Sequence, residues 1–199
     1  MTWPFPGIPP GEYASLLVDK PWKFKVRSEK GEGRSAERHY RTMKDEELKA
    51  LPIIDLCARD TFLFMWTSGT MIRRSMAIMD AWGFDYSSFA FLWIKLNKRS
   101  HQMFWTRRDF FKGMGYTTRK NAEVCLLGTI GNPKRLSNNV DELIIAPRRQ
   151  HSRKPDEIYS RIEEFAPGPH AELFGRGEPR PGWSMFGDQL GKFEKENAA

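Results

Sequence analysis

Short, unbroken apolar runs recur along this chain with helix-like stretches between them, and that alternation narrows the fold more than any other feature. Leu16-Leu17-Val18, Thr61 to Trp66, Phe89 to Ile94, Val124 to Leu127, Leu143-Ile144-Ile145 and Ala171 to Phe174 each read as a strand. Strands apolar on both sides are buried on both faces, the condition of a mostly parallel sheet with helices above and below. The stretches between them carry helix signals. Thr42 and Asp45 form a capping-box start for a helix containing Glu46 to Leu51. Met71, Ser75, Ile78, Met79 and Trp82 fall near one face of a second helix, which Gly83 stops. Pro155 opens a third, with Ile158, Ile162 and Phe165 on its apolar side. The chain therefore reads as α/β. Ligands of such sheets sit beyond the carboxyl ends of the strands, so Asp19, Trp66, Lys95 and Arg176, each just past a strand, mark where chemistry is expected.

At 199 residues the chain fits a single domain over 1–199, with an N-terminal arm (1–14) and a C-terminal tail (191–199) expected to be poorly ordered. Composition is that of a soluble globular protein, 40% hydrophobic and 29% charged. No apolar run approaches the roughly 20 residues that span a bilayer. The amino terminus lacks the basic start and apolar stretch of a secretory signal, so a cytoplasmic protein without a membrane partner is expected. Cys57 and Cys125 lie beside apolar runs and read as buried free thiols. With four scattered histidines they make no metal site at a familiar spacing.

The formal charge of +7 suits a polyanionic partner. Its placement says more than its size. Between Lys95 and Lys120 stand Lys95, Lys98, Arg99, Arg107, Arg108, Lys112, Arg119 and Lys120 against the single acid Asp109. Phe104, Trp105, Phe110, Phe111 and Tyr116 are interleaved with them. Cations that follow a phosphate backbone, mixed with rings that stack on bases, are what nucleic-acid binding requires. The polar, charged stretch from Lys25 to Arg38 reads as a lid or as an ordinary solvated loop.

Asp19-Lys20-Pro21-Trp22 follows the first strand. The exocyclic amine of adenine is a poor nucleophile because its lone pair is delocalised into the ring. Two acceptors that hold its hydrogens leave the nitrogen lone pair aimed at an electrophile, and an Asp carboxylate plus a neighbouring backbone carbonyl supply them. Proline fixes the peptide plane, and an aromatic ring holds an extruded base by stacking. Taken alone, the tetrapeptide is equally a strand end entering a proline turn, with Trp22 as a core ring.

It does not stand alone. Ten blocks follow in order: Val18-Asp19-Lys20-Pro21-Trp22, His39 to Met43, Phe62 to Thr67, Ala81 to Phe84, Trp93-Ile94-Lys95, Gly115 to Arg119, Ala122 to Gly128, His151 to Glu157, Glu172 to Arg176, and Gly182-Trp183 to Gly187-Asp188-Gln189. From about Leu16 to Leu190 the chain resembles the MT-A family of adenine methyltransferases, whose short stand-alone members occur in bacteria and phages. The resemblance implies a Rossmann-like class I fold in permuted order, S-adenosylmethionine as cofactor, and N6 methylation of adenine. It implies that Asp19 binds the target amine near the cofactor's amino group, with Pro21 and Trp22 shaping the adenine pocket. Lys154 would pair with the cofactor's carboxylate, while Arg176, Asp188 and Gln189 hold its nucleoside half. Tyr40, Trp66, Trp93, Lys95 and Glu123 would line the target side, and Arg107, Arg108 and Arg119 would meet the nucleic acid.

The family's usual tetrapeptide is Asp-Pro-Pro-Trp, and here Lys20 stands at the second position. Its side chain either competes for Asp19 as a salt bridge or points outward to a phosphate. Pro21 still biases Lys20 toward extended geometry. Three readings stay open: an active enzyme whose Lys20 faces nucleic acid, a silent relative that only binds, and a crippled variant. Likeness to the short bacterial and phage members, without an added RNA-binding domain, favours DNA over RNA. A homodimer or a partner subunit remains open.

Overall fold

The computed structural model describes residues 3–21, 42–100, 104–113, 115, 117–150 and 153–195, leaving aside the side chains of 194 and 195. Trp22, Tyr40 and the stretch from Lys25 to Arg38 lie outside them.

Seven strands form one sheet: β1 (Tyr13–Val18), β2 (Cys57–Thr67), β3 (Asp85–Leu96), β4 (Ala122–Ile130), β5 (Leu143–Pro147), β6 (His170–Leu173) and β7 (Trp183–Phe186), in the order β5-β3-β4-β2-β1-β6-β7. All neighbours run parallel except β4, which is antiparallel to both β2 and β3. One edge of the sheet therefore collects the carboxyl ends of six strands and the amino end of β4.

Side chains alternate across each strand, and the core divides accordingly. Leu16, Val18, Leu63 and Met65 pack with Leu48 of helix α1 (Asp45–Lys49) and Ile78 and Met79 of helix α2 (Ile72–Ala81). Leu17, Phe62, Phe64 and Trp66 pack on the other face with Ile158 and Ile162 of helix α3 (Glu157–Phe165). Each such buried side chain stabilises the fold by about 1.5–3 kcal/mol. Helices thus cover both faces, as the apolar strands require. No described helix is long and apolar enough to cross a membrane.

Three expectations need correction. The segment expected to be a poorly ordered arm is fastened from residue 3 onward: Phe5 and Ile8 are buried in the core, Trp3 Nε1 donates to Ile8 O at 2.8 Å, and Gly11 N donates to Asp55 O at 2.8 Å. Helix α1 is capped at Lys44 rather than at Thr42, its Glu47 carboxylate accepting from Lys44 N–H at 2.6 Å. Asp45 turns instead to Arg74 of α2, which donates from Nε at 2.6 Å and holds the carboxyl below its ordinary range. Of the tail expected over 191–199, the described part holds a short helix, α4 (Lys192–Lys195), whose Phe193 is buried.

Candidate active site

Asp19 leaves β1 at the sheet's carboxyl edge, where its Oδ2 accepts from Lys154 Nζ at 2.6 Å. Lys154 arrives from the far side, in the segment between β5 and α3, and its ammonium also lies 3.4 Å from Glu123 Oε2. Glu123 opens β4. Because β4 runs antiparallel, its first residues share the edge where its neighbours end, and Glu123 there meets Lys95 at the end of β3 in a second ion pair. A continuous chain of charge results: Asp19, Lys154, Glu123, Lys95.

Burial alone would lower the Lys154 ammonium, but Asp19 and Glu123 outweigh it and hold it above the ordinary lysine range. Burial alone would likewise raise the Glu123 carboxyl, yet Lys154 and Lys95 keep it below its usual range. Removing one member would strand an opposite charge, which costs about 3–5 kcal/mol.

Asp19 and Lys154 line a cleft of about 350 Å³, with Trp66, Tyr159, Glu172, Phe174, Arg176 and Phe193 among its other walls. Phe174 holds φ 63°, a left-handed conformation rarely adopted by a bulky residue, and this turn ends β6 one residue before the expected Phe174. A Cβ on Gly187 would stand 2.0 Å from Gly175 O, so only glycine admits the approach that brings β7's end against this turn. Arg176 and Arg153 place their guanidinium carbons 5.5 and 5.1 Å from the Phe193 ring.

Glu172 and Tyr159 are the residues that sequence reasoning missed. Glu172 is 8% exposed, and burial pushes its carboxyl up to about 7, although Tyr159 Oη donates to it at 2.8 Å. Burial and Glu172 together push the Tyr159 phenol upward. The available signal was an acid inside an apolar strand, Ala171-Glu172-Leu173.

The remaining candidates separate. Trp66 lines the cleft, and its buried Nε1 has no acceptor among the described residues. Trp93 lies beneath it, rings edge-on at 6.5 Å, with Nε1 donating to Ala146 O at 3.0 Å. It supports Trp66 and Lys95 rather than lining the cleft. Asp188 and Gln189 do not line it either. They follow β7 in a turn whose Gly191 N and Lys192 N donate to Gly177 O and Arg176 O, at 3.1 and 3.2 Å.

Arg107, Arg108 and Arg119 are exposed on the excursion that joins β3 to β4 at the same sheet edge. That excursion is braced: Phe111 N donates to Lys95 O and Asn97 N to Asp109 O, both at 2.8 Å. Asp109, the one acid of the stretch, accepts from Thr106 N–H and Oγ1 at 2.8 Å and from Ser100 Oγ at 3.0 Å. The turn presents Phe104 at 80% and Trp105 at 43% exposure.

Lys20 does not point outward as one sequence expectation had it: it is 2% exposed, so it faces no phosphate, and Asp19 beside it favours its charged form. Its Nζ donates inward to Trp66 O at 3.4 Å, and burial pushes the ammonium down to about 7. Successive residues of an extended chain point to opposite sides. Asp19 takes the cleft and Lys20 the interior.

A model of the MT-A70 family matches residues 13–189. The Type II methyltransferase M.MunI of a Mycoplasma species is 31% identical over 206 residues, which cover 94% of this chain and 81% of that protein. The human N(6)-adenosine-methyltransferase catalytic subunit METTL3 is 32% identical over 183 residues, or 90% of this chain. The same holds for the Drosophila melanogaster N(6)-adenosine-methyltransferase MT-A70-like protein. The chain spans 28% of the human protein's length and 27% of the fly protein's. With all seven strands of its sheet, most of its core and every wall of the cleft except Phe193 inside the matched residues, the chain belongs to the MT-A70 family.

Proposed function

We propose that the protein is an S-adenosylmethionine-dependent methyltransferase of Rossmann-like class I fold that methylates the N6 amine of adenine in DNA. The observation that carries this is the half-buried Asp19–Lys154 pair at the wall of the cleft. A cleft of about 350 Å³ falls within the range of small-molecule sites, roughly 300–1,000 Å³. Its walls suit a zwitterionic sulfonium nucleoside: carboxyl groups at Asp19 and Glu172, cations at Lys154 and Arg176, and rings at Trp66 and Phe174. The orphaned Trp66 indole N–H is a donor that a bound acceptor would satisfy. Lys154 would hold the cofactor's carboxylate, Asp19 its ammonium, and Arg176 its nucleoside half. When bound, this cofactor supplies an electrophilic methyl group together with its own leaving group.

The chain's own groups then orient and shield the reaction. Asp19 accepts one hydrogen of the adenine amine and the Lys20 carbonyl the other, which aims the nitrogen lone pair at the methyl carbon. Asp19 would also receive the proton that the amine gives up once its nitrogen takes the methyl group the bound cofactor supplies. Trp66 and Phe174 exclude water, so these dipoles act at low dielectric. Arg107, Arg108 and Arg119 would neutralise phosphates, while Phe104 and Trp105 offer stacking faces.

DNA is supported by the extent of the likeness, 81% of M.MunI against 28% of METTL3. RNA is the second reading, favoured by the adenosine substrate in METTL3's name. Purified protein with labelled cofactor and adenine-rich DNA or RNA tests both, with mass spectrometry of the released nucleosides. N6-methyldeoxyadenosine is expected. Methyladenosine in RNA alone would replace the substrate, and no product in either would end the reading.

A further inference from the structure

Lys20 has no place in the reaction just described beyond lending its carbonyl, yet its side chain is among the most deeply buried charged groups of the molecule. The tetrapeptide backbone is held at one side already: Pro21 O accepts from Met43 N–H at 2.9 Å, and Pro21 keeps Lys20 out of the helical region. What stays adjustable is rotation about Lys20's own N–Cα bond, the angle that a proline at this place would lock. The side chain meets that need by another route. It passes into the interior, and its Nζ reaches the backbone carbonyl of Trp66, the next-to-last residue of β2 and a wall of the cleft. Val18 and Met65 are register partners in the β1–β2 pair, so this contact joins the two strands just past the last rung of their ladder.

We infer that Lys20 is a positioning residue, whose ammonium on the Trp66 carbonyl fixes the turn after β1 and so aims the Lys20 carbonyl into the site. This rests on the methyltransferase reading above. Four groups bear on the ammonium: Asp19 beside it, Asp45 from α1, Cys125 from β4 and Lys154 from the segment before α3. Burial outweighs them, so the group changes charge near neutrality. Below that point Lys20 adds a cation behind Asp19 at the wall of a site for a cationic cofactor, whose KM rises as the pH falls. Above it the amine still donates a hydrogen bond and the clamp persists.

Wild-type protein is compared with Lys20→Met and Lys20→Pro in methyl transfer from labelled S-adenosylmethionine to DNA, from mildly acidic to mildly alkaline pH. Circular dichroism reports the fold. The methionine fills the same channel without reaching the carbonyl, and kcat is expected to fall about tenfold or more at every pH. Proline is expected to restore kcat to within about threefold. Both variants should lose the neutral-range dependence of the cofactor's KM. A folded Lys20→Met with wild-type kcat and an unchanged KM profile overturns the assignment. If Lys20→Met does not fold, Lys20→Pro decides: near-wild-type kcat with a flat KM profile supports the clamp, and lost activity or a retained profile overturns it. A wild-type protein that transfers no methyl group overturns the methyltransferase reading together with the clamp, whereas an active wild type indifferent to Lys20→Met overturns the clamp alone.

Discussion

The carboxyl edge of the sheet carries two regions of opposite physical character. The cleft brings Asp19, Lys154 and Glu172 to its walls, with Glu123 and Lys95 continuing the ion network behind them, a half-buried set in which each charge or proton is fixed by a neighbour. The excursion between β3 and β4 carries more cations, but Arg107, Arg108 and Arg119 stand in solvent, and its rings Phe104 and Trp105 are exposed. Charge in water is screened within about 8–10 Å and contributes little to geometry. Charge out of water is costly unless paired, and once paired it is rigid. The edge therefore divides its labour: reaction geometry resides in the cleft, and polyanion attraction in the excursion. Changes in the cleft should alter kcat or stability steeply, and changes in the excursion should alter salt-dependent affinity gently.

The largest effect is expected at Asp19. Asp19→Asn keeps the shape but trades an acceptor-only group for a half-donor, and leaves Lys154 without its nearest counter-charge. Methyl transfer should fall on the order of 100-fold or more in kcat, measured under saturating DNA. A loss of less than threefold would move the chemistry out of the cleft. Next comes Lys154→Met, which frees Asp19 and Glu123 to repel each other. Cofactor affinity by titration calorimetry should fall about tenfold or more, with unfolding free energy lower by about 3 kcal/mol. Unchanged values of both would mean that the ion network is incidental to binding.

Glu172 sharpens the contrast through pH. Its folded pKa, near 7, lies above the ordinary carboxyl value of 4.5. Between those values the folded state holds a proton that the unfolded state has lost. Its contribution is therefore complete below about 4.5 and is given up as the pH rises toward 7. Glu172→Gln cannot ionise, so its urea midpoint should exceed wild type at mildly alkaline pH and approach it in mild acid. Parallel pH curves for the two proteins would mean that Glu172 is already ionised in the cleft.

Much of this edge could be read in the sequence because its parts are local. Leu16-Leu17-Val18 followed by Asp19 announces a buried strand that ends on a functional acid, and Lys154 before Pro155 marks a helix start. What escaped depends on partners distant in sequence or on direction. Glu172 acquires its meaning from Tyr159 on α3, thirteen residues earlier. Glu123 was expected from the family resemblance, but its pairing with Lys154 exists only because β4 runs against its neighbours, which apolar content does not reveal. The side taken by Lys20 is set by where β1 bends, and a one-residue difference would have sent it to solvent. Phe5 and Ile8 escaped because isolated apolar residues among prolines and glycines show no period to match.

The mildest expected effect lies on the excursion and tests the other half of the comparison. Arg107→Glu combined with Arg108→Glu removes two exposed cations without touching the Asp109 brace. If each contacts a phosphate, the slope of log binding constant against log salt should fall by about 2. Affinity should drop at low salt and converge on wild type as salt rises, while kcat at saturating DNA stays within about twofold because the cleft is unchanged. Fluorescence anisotropy at several salt concentrations, paired with single-turnover rates, separates the two quantities. A fall in the single-turnover rate at saturation would show that the excursion shapes the reacting geometry and that the division of labour is wrong. An unchanged slope would make these arginines an ordinary solvated face, and would leave the nucleic acid to be held by other cations, such as Arg148, whose guanidinium carbon lies 4.1 Å from the Phe111 ring.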